Sequence, residues 1–317
     1  MPLLKLNQEL ACIDFNIPQF QFKNIVMSKK VIADFETQKK QFLDKMNRAN
    51  AREETNLFLI IVANVDDPHI GKGCSQDIES VRTIFKKLSD NMDFVVIDIV
   101  IQGASYSKQN VIDVVDALMP GDDDIVVFYY SGHGFRFVND EGNKFPEVFL
   151  LPNLPSETSS IINDNSLLLT QIFDHVKGKG ARLNLVIADC CNTGIKFKRK
   201  FAGGDPVIRQ ARHSQLEVIN KDSCKGIFCD PRASIMVASA DEDQFSITDD
   251  ELGSIFTFNF TENLIKMLSN IPDHGEGLPW EKLLKETKEK TIDLSKTYDI
   301  GGGTPGNQRP IFKILSS

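Results

Sequence analysis

The stretch Ile125-Val-Val-Phe-Tyr-Tyr-Ser-Gly-His-Gly134 contains an apolar run that ends in a small polar turn. A continuous apolar run of this kind predicts a β-strand that is covered on both faces of a sheet. Ligands of open α/β sheets bind beyond the carboxyl ends of the strands. His133 lies between two glycines directly after this strand, so it is poorly suited to core packing and is a candidate for chemistry.

Similar apolar runs and segments of helical spacing alternate along most of the chain. Strands that are separated by helices form a mostly parallel sheet with helices on both faces. The sequence therefore predicts an α/β fold of this kind. The predicted strands are 57–62, 94–101, 125–130, 183–188 and 235–238, and the predicted helices are 77–88, 108–119, 166–176 and 257–268.

Composition and charge exclude several classes of protein. The 317 residues carry a formal net charge of −8, which disfavours a nucleic-acid-binding protein because phosphate neutralisation needs a basic surface. No apolar run reaches the roughly 18 residues of a membrane-spanning helix, and the first residues do not resemble a secretory signal. The six cysteines are spaced too irregularly for a disulfide framework. We therefore expect a cytoplasmic protein with no membrane and no nucleic-acid partner.

The chain divides into an N-terminal extension, residues 1–55, and a main domain, residues 56–317. Within the extension, 34–53 has the periodicity of an amphipathic helix. This helix either packs on the main domain or serves as a partner-docking or inhibitory pro-segment. Its apolar face contains Phe35, Phe42, Leu43 and Met46.

A long segment without helical or strand periodicity, 195–233, interrupts the main domain. Between Ile195 and Arg212 it has six basic residues and one acidic residue, although the whole chain is acidic. Loops of this length in a compact domain are usually functional or flexible. We call 195–233 the basic loop and predict that its basic part, 196–212, is extended and mobile because it has few apolar anchors.

The end of the predicted strand 183–188 supplies a second reactive side chain. This strand runs into Asp189-Cys190-Cys191-Asn192-Thr193-Gly194. Because alternate side chains of a strand share a face, we expect Asp189 and Cys191 on one side and Cys190 on the other. A thiolate beside an imidazole is an activated nucleophile. Cys191 and His133 therefore form a candidate nucleophile–base pair, whereas Cys190 is expected to be a small buried residue.

These motifs, taken in order, resemble the caspase-like cysteine peptidases, and most of all the metacaspases and their bacterial relatives. The family signature is Tyr-Ser-Gly-His-Gly followed by Asp-x-Cys-x-Ser-Gly. Gly73-Cys-Ser-Gln-Asp77 is similar to the family's Gly-Cys-x-Asn-Asp segment, and Gly253-Ser-Ile-Phe-Thr257 is similar to its Gly-x-Phe-Thr helix start. The resemblance covers about 57–268 and implies the caspase–hemoglobinase fold.

The resemblance also implies catalytic roles for the matching residues. Cys191 would be the nucleophile and His133 the acid–base. The backbone N–H groups of Gly134 and Cys191 would form the oxyanion hole, which stabilises the charge that develops on the substrate's carbonyl oxygen.

In the same family the residues that match Asp77, Ser131 and Asp189 line the S1 pocket, which holds the substrate's P1 side chain. Two buried carboxylates repel each other, and a cationic side chain would relieve that repulsion. We therefore predict cleavage after Arg or Lys. The structural alternative for Asp77 is a helix N-cap or an acid in the first helical turn.

No cofactor and no metal site are predicted. Metacaspases often need calcium, which aspartates near the active-site loops bind. Here Asp140, Glu141 and Glu147 do not reproduce that acidic cluster, and the segment after Cys191 is rich in lysine. Calcium dependence therefore has little support in this sequence.

The sequence thus predicts a cysteine endopeptidase that cleaves protein or peptide substrates after Arg or Lys and that processes itself in the basic loop. An upstream activating protease or another regulator is the alternative source of such processing. Two rival functions stay open: an inactive caspase-like scaffold that binds partners, and a separase-like or CHAT-type protease of other specificity. The intact set of Cys191, His133 and Asp189 argues against the scaffold.

Overall fold

The computed structural model describes residues 29–49, 54–137, 142–152, 159–194, 219–270 and 278–316. The basic stretch from 196 to 212 lies outside the described residues. The helices are α1 (Lys29–Ala49), α2 (Gly71–Met92), α3 (Lys108–Ala117), α4 (Ser159–Asp164), α5 (Leu169–Lys177), α6 (Lys221–Cys224), α7 (Ile255–Ser269) and α8 (Pro279–Ser295). The strands are β1 (Asn56–Ala63), β2 (Val95–Gln102), β3 (Ile125–Ser131), β4 (Gly134–Phe135), β5 (Glu147–Phe149), β6 (Ser166–Leu168), β7 (Leu183–Asp189), β8 (Ala233–Ala238), β9 (Thr248–Asp249), β10 (Gly253–Ser254) and β11 (Ile311–Ser316).

The centre of the fold is a six-stranded sheet with the strand order β11-β8-β7-β3-β1-β2. Its strands pair in parallel, except that β11 is antiparallel to β8 at one edge. The predicted mostly parallel α/β sheet is therefore confirmed. The register pairs Ala63 with Ser131 and Ser131 with Asp189, so the carboxyl ends of β1, β3 and β7 lie side by side.

Helices cover both faces of this sheet, as the sequence predicts. Every residue of β1, β3 and β7 is buried, because neighbouring side chains along each strand enter opposite apolar layers. Tyr129 lies in the layer that includes α2, α6, α7 and α8. Phe128 lies in the layer that includes α1, α3 and α5. In α1, Phe35, Phe42 and Met46 are buried in this second layer, so the helix packs on the domain.

Several predicted element boundaries are wrong, and the N-terminal helix predicted at 34–53 begins at Lys29. Helix α2 begins at Gly71, before the predicted 77, because glycine's low helix propensity is overridden by packing. A Cβ atom at Gly71 would collide with the Val65 carbonyl oxygen, so this close backbone contact requires a glycine at the first residue of the helix. Residues 166–168 pair with β5 as strand β6 and are not helical. The predicted loop 195–233 contains α6 and a π-helical turn, Lys225–Cys229.

None of the helices in the described part of the chain is both long enough and apolar enough to cross a membrane.

Candidate active site

The predicted nucleophile and base follow two neighbouring strands at the same edge of the sheet. Ser131 at the end of β3 pairs with Asp189 at the end of β7, and the Gly132 N–H donates to the Asp189 carbonyl oxygen at 3.2 Å. His133 and Cys191 lie two residues beyond these paired positions. The topology therefore brings both residues to one site.

The predicted alternation of side chains at the end of β7 is confirmed. Asp189 and Cys191 both contact Ser246, whereas Cys190 is buried in the apolar layer on the other face of the sheet. Burial raises the pKa of the Cys190 thiol well above its ordinary value, with smaller contributions from the charges of Cys191 and Asp189. A thiol of this kind is chemically inert.

Gly134 allows a close approach between the histidine segment and the cysteine segment. A Cβ atom at this position would collide with Cys190 Sγ and with the Cys191 carbonyl oxygen. The Phe149 N–H donates to the His133 carbonyl oxygen at 3.0 Å, and Gly134 pairs with Val148 in the next position of the ladder. Pairs that exchange backbone hydrogen bonds alternate along an antiparallel ladder with pairs that do not. Gly134 and Val148 therefore form a pair without such bonds, and the Gly134 N–H points away from β5.

Ser246, which the sequence analysis did not select, joins the predicted nucleophile to one of the predicted S1 acids. Its backbone N–H donates to Cys191 Sγ at 3.4 Å, and its hydroxyl donates to Asp189 Oδ1 at 2.6 Å. A fully buried amide, Gln308, donates to the Ser246 hydroxyl at 3.1 Å and to the Ser239 carbonyl oxygen at 3.0 Å. Ser246 follows β8, so its signal in the sequence was a small polar residue beyond a parallel strand.

Asp77 and Asp189 are both buried, and the protein itself satisfies their carboxylates. Asp77 accepts from the Ser131 hydroxyl at 2.7 Å and from the Ser254 N–H at 2.8 Å. Asp189 accepts from the Thr257 hydroxyl at 2.7 Å and from the Thr257 N–H at 3.2 Å, besides the Ser246 hydroxyl. The N-cap or first-turn role considered for Asp77 is wrong, because the residue lies in the second turn of α2 and holds the segment that leads into α7.

Burial dominates the electrostatics of this acid pair. Burial first and the nearby charge of Asp189 second raise the pKa of Asp77 to about 7, against the hydrogen bonds from Ser131 and Ser254, which lower it. Burial also raises the pKa of Asp189, although Ser246 and Thr257 donate to its carboxylate. Near neutral pH the pair therefore favours holding a proton, which is the condition that an added cation would relieve.

A second carboxylate that the sequence analysis missed contacts His133. Asp67 Oδ2 lies 2.8 Å from His133 Nε2, and both side chains are buried. Asp67 follows β1, which is the strand beside β3. The rule that selected His133 and Cys191 would have found Asp67 if it had been applied to the end of β1.

The loop that carries the cysteine is tied to the loop after β8. The Asn192 N–H donates to the Gln244 carbonyl oxygen at 3.0 Å, and the Asp243 N–H donates to the Asn192 carbonyl oxygen at 2.9 Å. Arg136, just past the histidine, pairs with Glu242 at 2.6 Å and with Asp243 at 3.3 Å. Across the ranges that the structure describes, no group of three or more His, Cys, Asp or Glu side chains is placed to hold a metal ion.

A parallel sheet with a histidine and a cysteine at neighbouring strand ends is the architecture of a caspase-like cysteine peptidase. The family model described as the caspase domain matches residues 57–313, about four fifths of the chain. The protein therefore belongs to the caspase-domain family of cysteine peptidases. A search of curated proteins finds no match to this chain.

Proposed function

We propose that the protein is a cysteine endopeptidase that hydrolyses peptide bonds after Arg or Lys. The observation that carries the proposal is the buried acid pair of Asp77 and Asp189, which Ser246 connects to the Cys191 sulfur. An acidic site of this kind, directly linked to a nucleophile, favours a substrate that brings a positive charge.

The chemistry assigns one role to each group. The Cys191 thiol gives its proton to His133, and its Sγ attacks the substrate carbonyl carbon as a thiolate. The Ser246 N–H stabilises negative charge on that sulfur before the attack. The Gly134 and Cys191 N–H groups stabilise the oxyanion of the tetrahedral intermediate. His133 gives a proton to the leaving amine, the C–N bond breaks, and a thioester remains. Water, deprotonated by His133, then hydrolyses the thioester and releases the new carboxylate and the thiol.

Specificity for Arg or Lys follows from the hydrogen bonds and the protonation of Asp77 and Asp189 when no substrate is bound. The hydroxyls of Ser131 and Ser246 donate to Asp77 and Asp189, and a hydroxyl can rotate so that it accepts from a guanidinium or ammonium group instead. The incoming cation then pairs with carboxylates that otherwise favour holding a proton. Substrate binding would therefore release a proton near neutral pH.

The proposal also covers location and cofactors. None of the five cysteines in the described residues forms a disulfide, which agrees with a reducing cytoplasmic environment.

The reaction as written needs no metal ion. We therefore expect the rate of peptide hydrolysis to be the same in calcium and in a calcium chelator, and a requirement for calcium would overturn this part of the proposal.

A labelling experiment separates a peptidase from an inactive caspase-like scaffold. A peptidyl-Arg electrophile is added to the wild type, to Cys191→Ala and to Cys190→Ala, and the site of attachment is read by peptide mass mapping. We expect attachment at Cys191 in the wild type and in Cys190→Ala, and no attachment in Cys191→Ala. Folded wild-type protein that does not label would favour the scaffold.

A matched pair of electrophiles tests the specificity. The peptidyl-Asp analogue with the same leaving portion should label at least tenfold more slowly than the peptidyl-Arg reagent. Equal rates, or a preference for the Asp reagent, would overturn Arg/Lys specificity and leave a protease of other specificity.

A further inference from the structure

Asp67 holds the His133 imidazole from the side of Nε2. The Asp67 Oδ2 to His133 Nε2 distance is 2.8 Å, and the two side chains are only 5% and 7% exposed. The contact joins residues far apart in the sequence, because β1 and β3 are neighbours in the sheet. It therefore depends on the fold, not on local loop geometry.

The loop between β1 and α2 fixes the Asp67 carboxylate in place. Oδ1 accepts from the His69 N–H at 2.8 Å and from the Ile70 N–H at 3.1 Å, and the Asp67 carbonyl oxygen accepts from the Gly71 N–H at 2.9 Å. These bonds occupy one carboxylate oxygen and leave Oδ2 aimed at His133. Burial raises the pKa of Asp67, but the hydrogen bonds from His133 and the backbone outweigh it and lower the pKa below the ordinary value.

An ionised carboxylate can only accept hydrogen bonds, so His133 Nε2 must carry the hydrogen in this contact. The lone pair of the neutral imidazole then lies on Nδ1. We propose that Asp67 is a positioning residue which makes the site a Cys191–His133–Asp67 triad, with Nδ1 as the nitrogen that exchanges protons with the thiol and the leaving amine. This inference rests on the peptidase function proposed above. The carboxylate also stabilises the imidazolium that forms during the reaction.

Replacing Asp67 by Asn tests the assignment with little change of shape. The backbone N–H groups of His69 and Ile70 require an acceptor, so the Asn carbonyl oxygen must stay at the Oδ1 position. The Asn NH₂ group then faces Nε2 and donates to it, which moves the hydrogen of the imidazole to Nδ1. The base nitrogen would be lost, although the loop and the fold stay intact.

The tautomer is measured first, because it does not depend on activity. Nitrogen-15 NMR of the imidazoles is recorded in a Cys191→Ala background at a pH where His133 is neutral, and its signal is assigned by its loss in His133→Gln. We expect the Nε2–H tautomer in this background and the Nδ1–H tautomer after Asp67→Asn. An Nδ1–H tautomer before the change at Asp67 would overturn the proposal.

Kinetics provide the second readout. Asp67→Asn should lower kcat on a peptidyl-Arg substrate by about 10²–10⁴-fold and leave KM nearly unchanged, because the substrate does not touch Asp67. The alkaline limb of the kcat/KM profile should move to lower pH, since the imidazolium has lost its counter-charge. Asp66→Asn is the matched control, because Asp66 is the adjacent acid and its side chain is exposed.

A second variant keeps the proposal testable if Asp67→Asn does not fold. Asp67→Ser keeps an oxygen that can accept from the His69 N–H but removes the one that faces His133. A kcat within threefold of the wild type in either folded variant would overturn the triad. If the wild type hydrolyses no peptide, the proposed peptidase function is wrong. The NMR measurement of the His133 tautomer would still test the hydrogen bond between Asp67 and His133.

Discussion

The acid pair beside the nucleophile should make the folded protein less stable as the pH rises, and Asp77→Asn should remove that effect. Asn is almost the same shape as Asp. Its carbonyl oxygen can accept from the Ser254 N–H, and its NH₂ group can donate to the Ser131 hydroxyl, which rotates to accept. The variant therefore keeps both hydrogen bonds and removes only the charge.

The size of the effect follows from the raised pKa. Burial and the charge of Asp189 bring the pKa of Asp77 to about 7 in the fold, whereas an aspartate in an unfolded chain titrates at about 3.9. Between these pH values the folded state binds more protons than the unfolded state. The contribution of the Asp77 proton to the free energy of unfolding is therefore complete below about pH 4 and is lost as the pH rises to about 7. At about 1.4 kcal/mol per pKa unit, the full loss is about 4 kcal/mol, of which about 2–3 kcal/mol falls between pH 5 and pH 8.

The assay is urea unfolding at pH 5 and at pH 8, in a Cys191→Ala background so that no self-cleavage occurs. Between pH 5 and pH 8 the free energy of unfolding of the Cys191→Ala parent should fall by about 2–3 kcal/mol more than that of the same protein carrying Asp77→Asn. Asp250→Asn, a change at an exposed acid of the neighbouring hairpin, is the control and should follow the parent. If Asp77→Asn is destabilised equally at both pH values, the buried carboxylate is not the cause and the reasoning fails. With Cys191 restored, the same variant should cleave Arg substrates poorly.

Three further results are expected. Cys191→Ala should abolish peptide hydrolysis while Cys190→Ala keeps much of it, and the reverse pattern in a rate assay would show that the nucleophile is misassigned. Gly134→Ala should lower kcat by about 10²-fold, because its Cβ would displace the Cys191 segment; wild-type kcat in this variant would contradict that contact. Intact-mass analysis of the wild type should show fragments that end after Lys or Arg within 196–212 and that are absent from Cys191→Ala. Wild type that cuts peptides yet stays whole would reject self-processing.

The sequence alone predicts the candidate reactive residues and locates the ends of the strands. The apolar runs are long enough to mark β1, β3 and β7, and periodicity places Cys191 and Cys190 on opposite faces, because side-chain alternation is a local property of a strand. The order of the motifs also identifies the caspase-domain family. These inferences need no knowledge of how distant segments pack.

Tertiary structure decides what surrounds the reactive residues. Asp67 and Ser246 each follow a strand, which is a signal in the sequence, but their contacts with His133 and Cys191 depend on the order of the strands in the sheet. Gln308 has no such signal, and only the fold brings it to Ser246. The same holds for the start of α2, where the close approach of Gly71 to the Val65 backbone requires a glycine that propensity alone would place outside a helix. The raised pKa of Asp77 likewise results from burial and from the proximity of Asp189, and both exist only once β7 and α2 have come together.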